Sequence, residues 1–234
     1  MAGTANILFD LDGTLTDSGP GIMKAVQFAI RKCGGRADDL SALRHFVGPP
    51  LQASFLKEGF GRSELKDLVA AFREYYDSGG IFDNSVYDGV VPMLEELGDR
   101  GMKLFVATTK PLPVALRVLE HFGLRKYFTD VCGGSDDPVF GKKAAVIRRL
   151  LEKNGIADPG SCAMVGDAVQ DITGAKENGM ISVAVLYGYG EEADLMGAGP
   201  DLAARSPADI ARLLAGRTQR PDDSTPLLPG TERL

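Results

Sequence analysis

Apolar residues recur along this chain in two rhythms. Residues 6–10 (N-I-L-F-D), 103–108 (K-L-F-V-A-T), 161–167 (S-C-A-M-V-G-D) and 181–186 (I-S-V-A-V-L) are short apolar runs, most of them ending in polar or turn residues. Such runs read as strands buried on both faces. Residues 128–132 form a weaker run of the same kind. Between them, residues 90–100, 113–122, 143–154 and 171–178 carry helical patterns. Strands alternating with helices predict an α/β protein built on a doubly wound parallel sheet.

Residues 18–84 break the alternation with four helix-like stretches and no convincing strand. Ile22, Val26 and Ile30 recur every four residues before Gly34 and Gly35 end the first helix, and Leu65, Leu68, Val69 and Phe72 form one stripe in the last. This predicts an all-helical insertion at 18–84 within a core made of 1–17 and 85–216. Residues 217–234 are proline-rich with little apolar periodicity and are expected to form a flexible tail.

Composition narrows the function without naming it. With 44% hydrophobic and 25% charged residues the chain can bury a sizeable core. A formal net charge of −6 argues against nucleic acid or an anionic membrane as the main partner, and leaves a small anionic substrate open. Cys33, Cys132 and Cys162 are widely spaced and form no metal-binding pattern, so free thiols are expected. No secretory signal and no membrane-length apolar run is evident, which makes the cytoplasm the expected location. The oligomeric state is left open.

The candidate chemistry lies at the carboxyl ends of the strands, where open parallel sheets bind ligands. The first strand ends in Asp10, with Asp12 two residues on; the second ends in Thr108, Thr109 and Lys110. The third ends in Gly166-Asp167, with Asp171 one helical turn further, and Lys142 and Lys143 open the preceding helix. Each signal has a plainer reading. D-x-D-G-T also suits a turn and helix cap, and acids near a helix start also serve the dipole. Lysines at a helix start oppose that dipole and are more informative. Clustered carboxylates raise each other's pKa unless a cation joins them, and Mg2+ with its preference for oxygen ligands suits that task. With metal bound, a carboxylate can act as a nucleophile towards phosphorus.

The stretch from Phe9 to Ser18 (F-D-L-D-G-T-L-T-D-S), V-A-T-T-K-P at 106–111, the lysine pair, and V-G-D-x-x-x-D at 165–171 together resemble the four motifs of the haloacid dehalogenase superfamily. They stand in the expected order across nearly the whole chain. The resemblance implies a Rossmann-like core with a helical cap inserted after the first motif. It implies Asp10 as nucleophile, Asp12 as general acid/base, Thr108 (with Thr109 beside it) and Lys143 as substrate-phosphate contacts, and Asp10, the Asp12 carbonyl, Asp167 and Asp171 as Mg2+ organisers. Gly48-Pro49-Pro50-Leu51, Tyr87-Asp88-Gly89 and K-A-A-V-I at 143–147 are similar to the phosphoglycolate phosphatase and 5'-nucleotidase-like branch. The third motif departs from the usual K-P-x-P: alanine follows Lys143, so Lys142 stays open as the alternative lysine.

The expected function is therefore a Mg2+-dependent phosphatase acting on a small phosphomonoester, phosphoglycolate or a nucleoside monophosphate. Asp12 and Asp167 argue against a dehalogenase. A phosphomutase of the β-phosphoglucomutase type shares the same metal site and nucleophile and remains an alternative. A remoter one is a nucleotide-binding module at Gly188-Tyr189-Gly190-Glu191-Glu192-Ala193, which fits G-x-G-x-x-A but reads more simply as a loop. His45 and His121 lie outside the convergent edge; Arg44, Lys57 and Arg73 are candidate contacts from the helical insertion to an anionic substrate.

Overall fold

The computed structural model describes residues 5–134 and 142–215. The expected tail at 217–234 lies outside the described residues. In chain order, β1 (Asn6–Phe9) and β2 (Thr16–Asp17) precede α1 (Gly19–Lys32), α2 (Leu51–Lys57) and α3 (Leu65–Ser78). Next come β3 (Ser85–Val86), α4 (Val90–Asp99), β4 (Lys103–Pro111), α5 (Leu112–His121) and β5 (Asp130–Gly134). The chain then forms α6 (Lys143–Lys153), β6 (Cys162–Gly166), α7 (Val169–Glu177), β7 (Ile181–Val185), α8 (Glu192–Gly197), β8 (Leu202–Ala204) and α9 (Pro207–Ala215). Short 3-10 turns at Ser41–Phe46 and Gly80–Phe82 complete the helical stretch after β2.

Six strands form one parallel sheet in the order β5-β4-β1-β6-β7-β8. Side chains of a strand alternate between faces, and both faces here are apolar. Ile7, Phe9, Leu104, Val106, Ala163 and Val165 pack on one face with α4, α5 and α9. Leu8, Phe105, Ala107, Cys162 and Met164 face α6 and α7 on the other. This is the doubly wound arrangement. The chain moves from β1 to β4 on one side and to β6 on the other, so β1 marks the switch point where a crevice opens at the carboxyl edge. Among the described residues no helix is long and apolar enough to cross a membrane.

The apolar interior of the helical stretch is continuous with the first of these sheet faces; in it Phe46 and Phe60 each meet Phe55 edge to face, and Leu68 and Ile81 are fully buried. Its two ends are tied by a two-stranded antiparallel ladder, Thr16 opposite Val86 and Asp17 opposite Ser85.

Several boundaries differ from the sequence expectation for local reasons. β5 runs two residues later than the apolar run at 128–132 and includes Gly133 and Gly134, whose low strand propensity hides it. β4 continues beyond Thr108 to Pro111 through an irregularity in its pairing with β5. α7 begins at Val169 rather than 171, because the Asp171 carboxylate accepts the Ala168 N–H at 3.1 Å and caps the helix from inside its first turn. β8, three residues at the sheet edge, is too short for any periodicity to announce.

Candidate active site

The backbone N–H of Asp10 donates to Val165 O at 2.9 Å, continuing the β1–β6 ladder and fixing this residue at the switch point. Its Oδ1 accepts the Leu11 N–H at 2.8 Å and lies 2.8 Å from Lys143 Nζ. The same ammonium lies 2.7 Å from Asp171 Oδ1 and donates to Ala107 O at 2.9 Å. Three elements therefore meet on one buried lysine at the start of α6. Burial opposes its charge, but Asp10 and then Asp171 outweigh that and hold its pKa above the ordinary lysine range. Those two carboxylates also offset the unfavourable helix dipole at this position. Lys142, one residue earlier, is exposed. The carboxylates are brought to Lys143, not to its neighbour.

Asp167 follows β6 and is 4% exposed. Its Oδ2 accepts the Tyr189 N–H at 2.7 Å and its Oδ1 the Thr14 hydroxyl at 3.3 Å. Oxygens of Asp10, Asp167 and Asp171 lie within 4.8 Å of one another. Burial, and then the charges of Asp10 and Asp171, push the Asp167 pKa up to about 7. Asp171 rises to about 6, again mainly by burial, with Lys143 pulling it back down. Three buried carboxylates around one ammonium form a site short of positive charge. A divalent ion with a preference for oxygen ligands fits that donor set. The capping and charge-site readings of Asp171 hold together, since Oδ2 caps α7 and Oδ1 faces Lys143.

Asp12 points to a second cation. Lys110 Nζ lies 3.0 Å from both Asp12 oxygens and donates to the Tyr76 hydroxyl of α3 at 2.7 Å. Thr108 is buried at the end of β4, where its Oγ1 accepts the Lys110 N–H at 3.2 Å. Thr109 is half-buried and out of phase with Thr108 and Lys110 along the strand. Lys110 stood in the polar cluster after the second strand, and its two-residue spacing from Thr108 was the signal of its importance. Tyr76 carried none.

The loop after β7 wraps the same edge. The Tyr189 hydroxyl accepts the Gly19 N–H at 2.8 Å and makes a short hydrogen bond with Asp17; the Tyr187 hydroxyl donates to Thr14 O at 2.8 Å. The glycines of Gly188-Tyr189-Gly190 are required by close approach. A Cβ on Gly188 would meet Gly13 O at 2.3 Å, and one on Gly190 would meet Asp167 O at 1.9 Å. This G-x-G therefore packs against Asp167, and the Tyr189 N–H is already engaged there. Arg44 reaches this loop from the helical stretch, donating to Gly188 O at 3.0 Å and lying 4.9 Å from the Tyr189 ring centroid.

The other candidates lie elsewhere. His45 pairs with Glu58 at 2.7 Å, and His121 stacks on Phe82 with ring centroids 4.2 Å apart. Lys57 and Arg73 are exposed on α2 and α3.

Residues 7–185 match the family model described as haloacid dehalogenase-like hydrolase. A 5'-nucleotidase of Pseudomonas aeruginosa is 40% identical over 85% of this chain and 92% of its own length. A phosphoglycolate phosphatase of Vibrio parahaemolyticus is 32% identical over 89% and 95%. The tyrosine-protein kinase PtkA of Mycobacterium tuberculosis is 37% identical over 79% of this chain, which spans 62% of that protein. In structure, the chain superposes on a predicted phosphatase from Clostridium acetobutylicum with a TM-score of 0.87 at 37% identity, covering 92% of this chain and all of the other. Fold, motif order, the family match and the nucleotidase and phosphatase likenesses agree: the chain belongs to the haloacid dehalogenase-like hydrolases and, within them, to the phosphatase type.

Proposed function

We propose that this chain is a Mg2+-dependent phosphatase that hydrolyses a small phosphomonoester through a phosphoryl group carried on Asp10. The observation that carries the reading is the buried cluster of Asp10, Asp167 and Asp171 around Lys143, a site whose negative charge exceeds its positive charge. Lys143 and the Leu11 N–H engage Asp10 Oδ1. Oδ2 has no hydrogen bond among the described residues and is the oxygen we assign to attack.

In the first step a bond forms from Asp10 Oδ2 to phosphorus as the bond from phosphorus to the leaving oxygen breaks, and that oxygen takes a proton from Asp12. In the second, Asp12 removes a proton from water as the water oxygen bonds to phosphorus and the bond from phosphorus to Asp10 Oδ2 breaks, releasing inorganic phosphate and regenerating the Asp10 carboxylate. Thr108 and Lys143 contact the phosphoryl oxygens, and Thr109 lines the approach. Asp10, Asp167, Asp171 and the Asp12 carbonyl would hold Mg2+, which when bound neutralises carboxylate and phosphoryl charge. Residues 1–17 and 85–216 act as the catalytic core and 18–84 as a cap whose closure excludes water.

The substrate class we assign is a nucleoside 5'-monophosphate or phosphoglycolate, in line with the nucleotidase and phosphoglycolate phosphatase likenesses. The test is a panel of phosphomonoesters compared by kcat/KM in Mg2+ and in EDTA, with Asp10→Asn as control. We expect Mg2+-dependent release of phosphate that disappears in Asp10→Asn while circular dichroism stays unchanged. Turnover in the variant would overturn the nucleophile, and indifference to EDTA would overturn the metal.

A further inference from the structure

We infer that Lys110 is a positioning residue for Asp12, and that Tyr76 ties this pair to the helical segment. The inference rests on the proposed acid/base role of Asp12. Lys110 is 9% exposed, and an ammonium so buried is costly unless every donor is met. Its three N–H groups meet three acceptors: both Asp12 oxygens at 3.0 Å and the Tyr76 hydroxyl at 2.7 Å. The Tyr76 ring that presents this hydroxyl is itself stacked on Phe72.

A carboxylate gripped through both oxygens is fixed in orientation. As Asp12 gives its proton to the leaving oxygen, negative charge develops on Asp12 beside the ammonium. Lys110 therefore acts where charge appears, without touching the substrate. Tyr76 belongs to α3, so the grip is complete only when the helical segment is seated on the core.

The test uses two esters that differ in their need for a proton. Departure of an alkoxide from β-glycerol phosphate requires one; departure of dinitrophenolate from 2,4-dinitrophenyl phosphate does not. In kcat/KM, Lys110→Met is expected to lose about 100-fold on the alkyl ester, at least about tenfold more than on the aryl ester. Tyr76→Phe is expected to shift the ratio in the same direction by about threefold, and carries the test if Lys110→Met does not fold. Equal losses on both esters, with Asp12→Asn still discriminating between them, would overturn the positioning role alone. Equal losses in Asp12→Asn would overturn the role of Asp12 and this inference with it.

Discussion

Replacing Asp167 by asparagine removes one negative charge from the carboxylate cluster while keeping its shape. In the metal-free protein, burial, aided by Asp10 and Asp171, raises the Asp167 pKa from 3.8 to about 7. A raised carboxylate pKa means that the folded state binds the proton more tightly than the unfolded state. The group therefore costs nothing well below 3.8, destabilises increasingly as pH climbs towards 7, and exerts its full penalty above that. The interval corresponds to roughly 4 kcal/mol as an upper bound. Relaxation and water entry reduce this to about 2 kcal/mol. Asparagine keeps an oxygen for the Tyr189 N–H and turns its amide towards the Thr14 hydroxyl, so both hydrogen bonds survive. In EDTA at pH 8 the variant should be the more stable protein by about 2 kcal/mol, or ~4–8 °C in Tm for a chain of this size. At pH 5 the advantage should shrink by more than half. Saturating Mg2+ should reverse the order, because only the wild type gains the full linkage stabilisation. Thermal and urea unfolding at the two pH values, with and without metal, measure all four cases. A variant less stable than wild type in EDTA at pH 8, or an advantage independent of pH, would refute the reasoning.

Two further perturbations probe the surroundings of this cluster. Lys143→Met should cost about 3–5 kcal/mol and abolish turnover, because it leaves Asp10 and Asp171 buried without their cation, whereas Lys142→Met should change stability by less than about 0.5 kcal/mol. Comparable effects in urea unfolding and phosphatase assays would reverse the choice between the lysines. Gly190→Ala forces a Cβ to within 1.9 Å of Asp167 O, so the loop must shift and pull the Tyr189 N–H away; a loss of about 1–3 kcal/mol is expected in chemical denaturation, and wild-type stability would contradict the close approach.

The parts of this molecule that could be read in advance were those governed by local pattern. Most residues of β1, β4, β6 and β7 are buried, so their apolar runs stand out, and the runs of β1, β4 and β6 end in polar residues at the sheet's carboxyl edge. Asp10, Thr108 and Asp167 were legible for that reason, and Asp171 by its place one helical turn beyond Asp167. Lys143 stands three and four residues before the buried Val146 and Ile147, the spacing that favours it over Lys142, which is exposed. Lys110 and Tyr76 stand 34 residues apart in different elements, and no periodicity relates them. The glycines after β7 fit G-x-G-x-x-A by spacing but read more simply as a loop, and a loop is what they form. Gly188 makes room for Gly13 O and the Asp167 side chain, and Gly190 for the backbone of Asp167. A motif records that a chain must pass close to something without recording what.

The short β2–β3 ladder has a consequence for how such a protein can diversify. The outgoing and returning strands lie side by side, joined at Thr16–Val86 and Asp17–Ser85, so the intervening helices form a closed excursion from the sheet. Its length and content can drift without changing the order of any strand in the six-stranded sheet. On the proposed division into core and cap, chimaeras exchanged at these two paired positions would keep the phosphoryl chemistry of the parent that supplies the sheet. The requirement carried across the junction is narrow: a recipient must offer an apolar seam for the new helices and a hydroxyl able to meet Lys110.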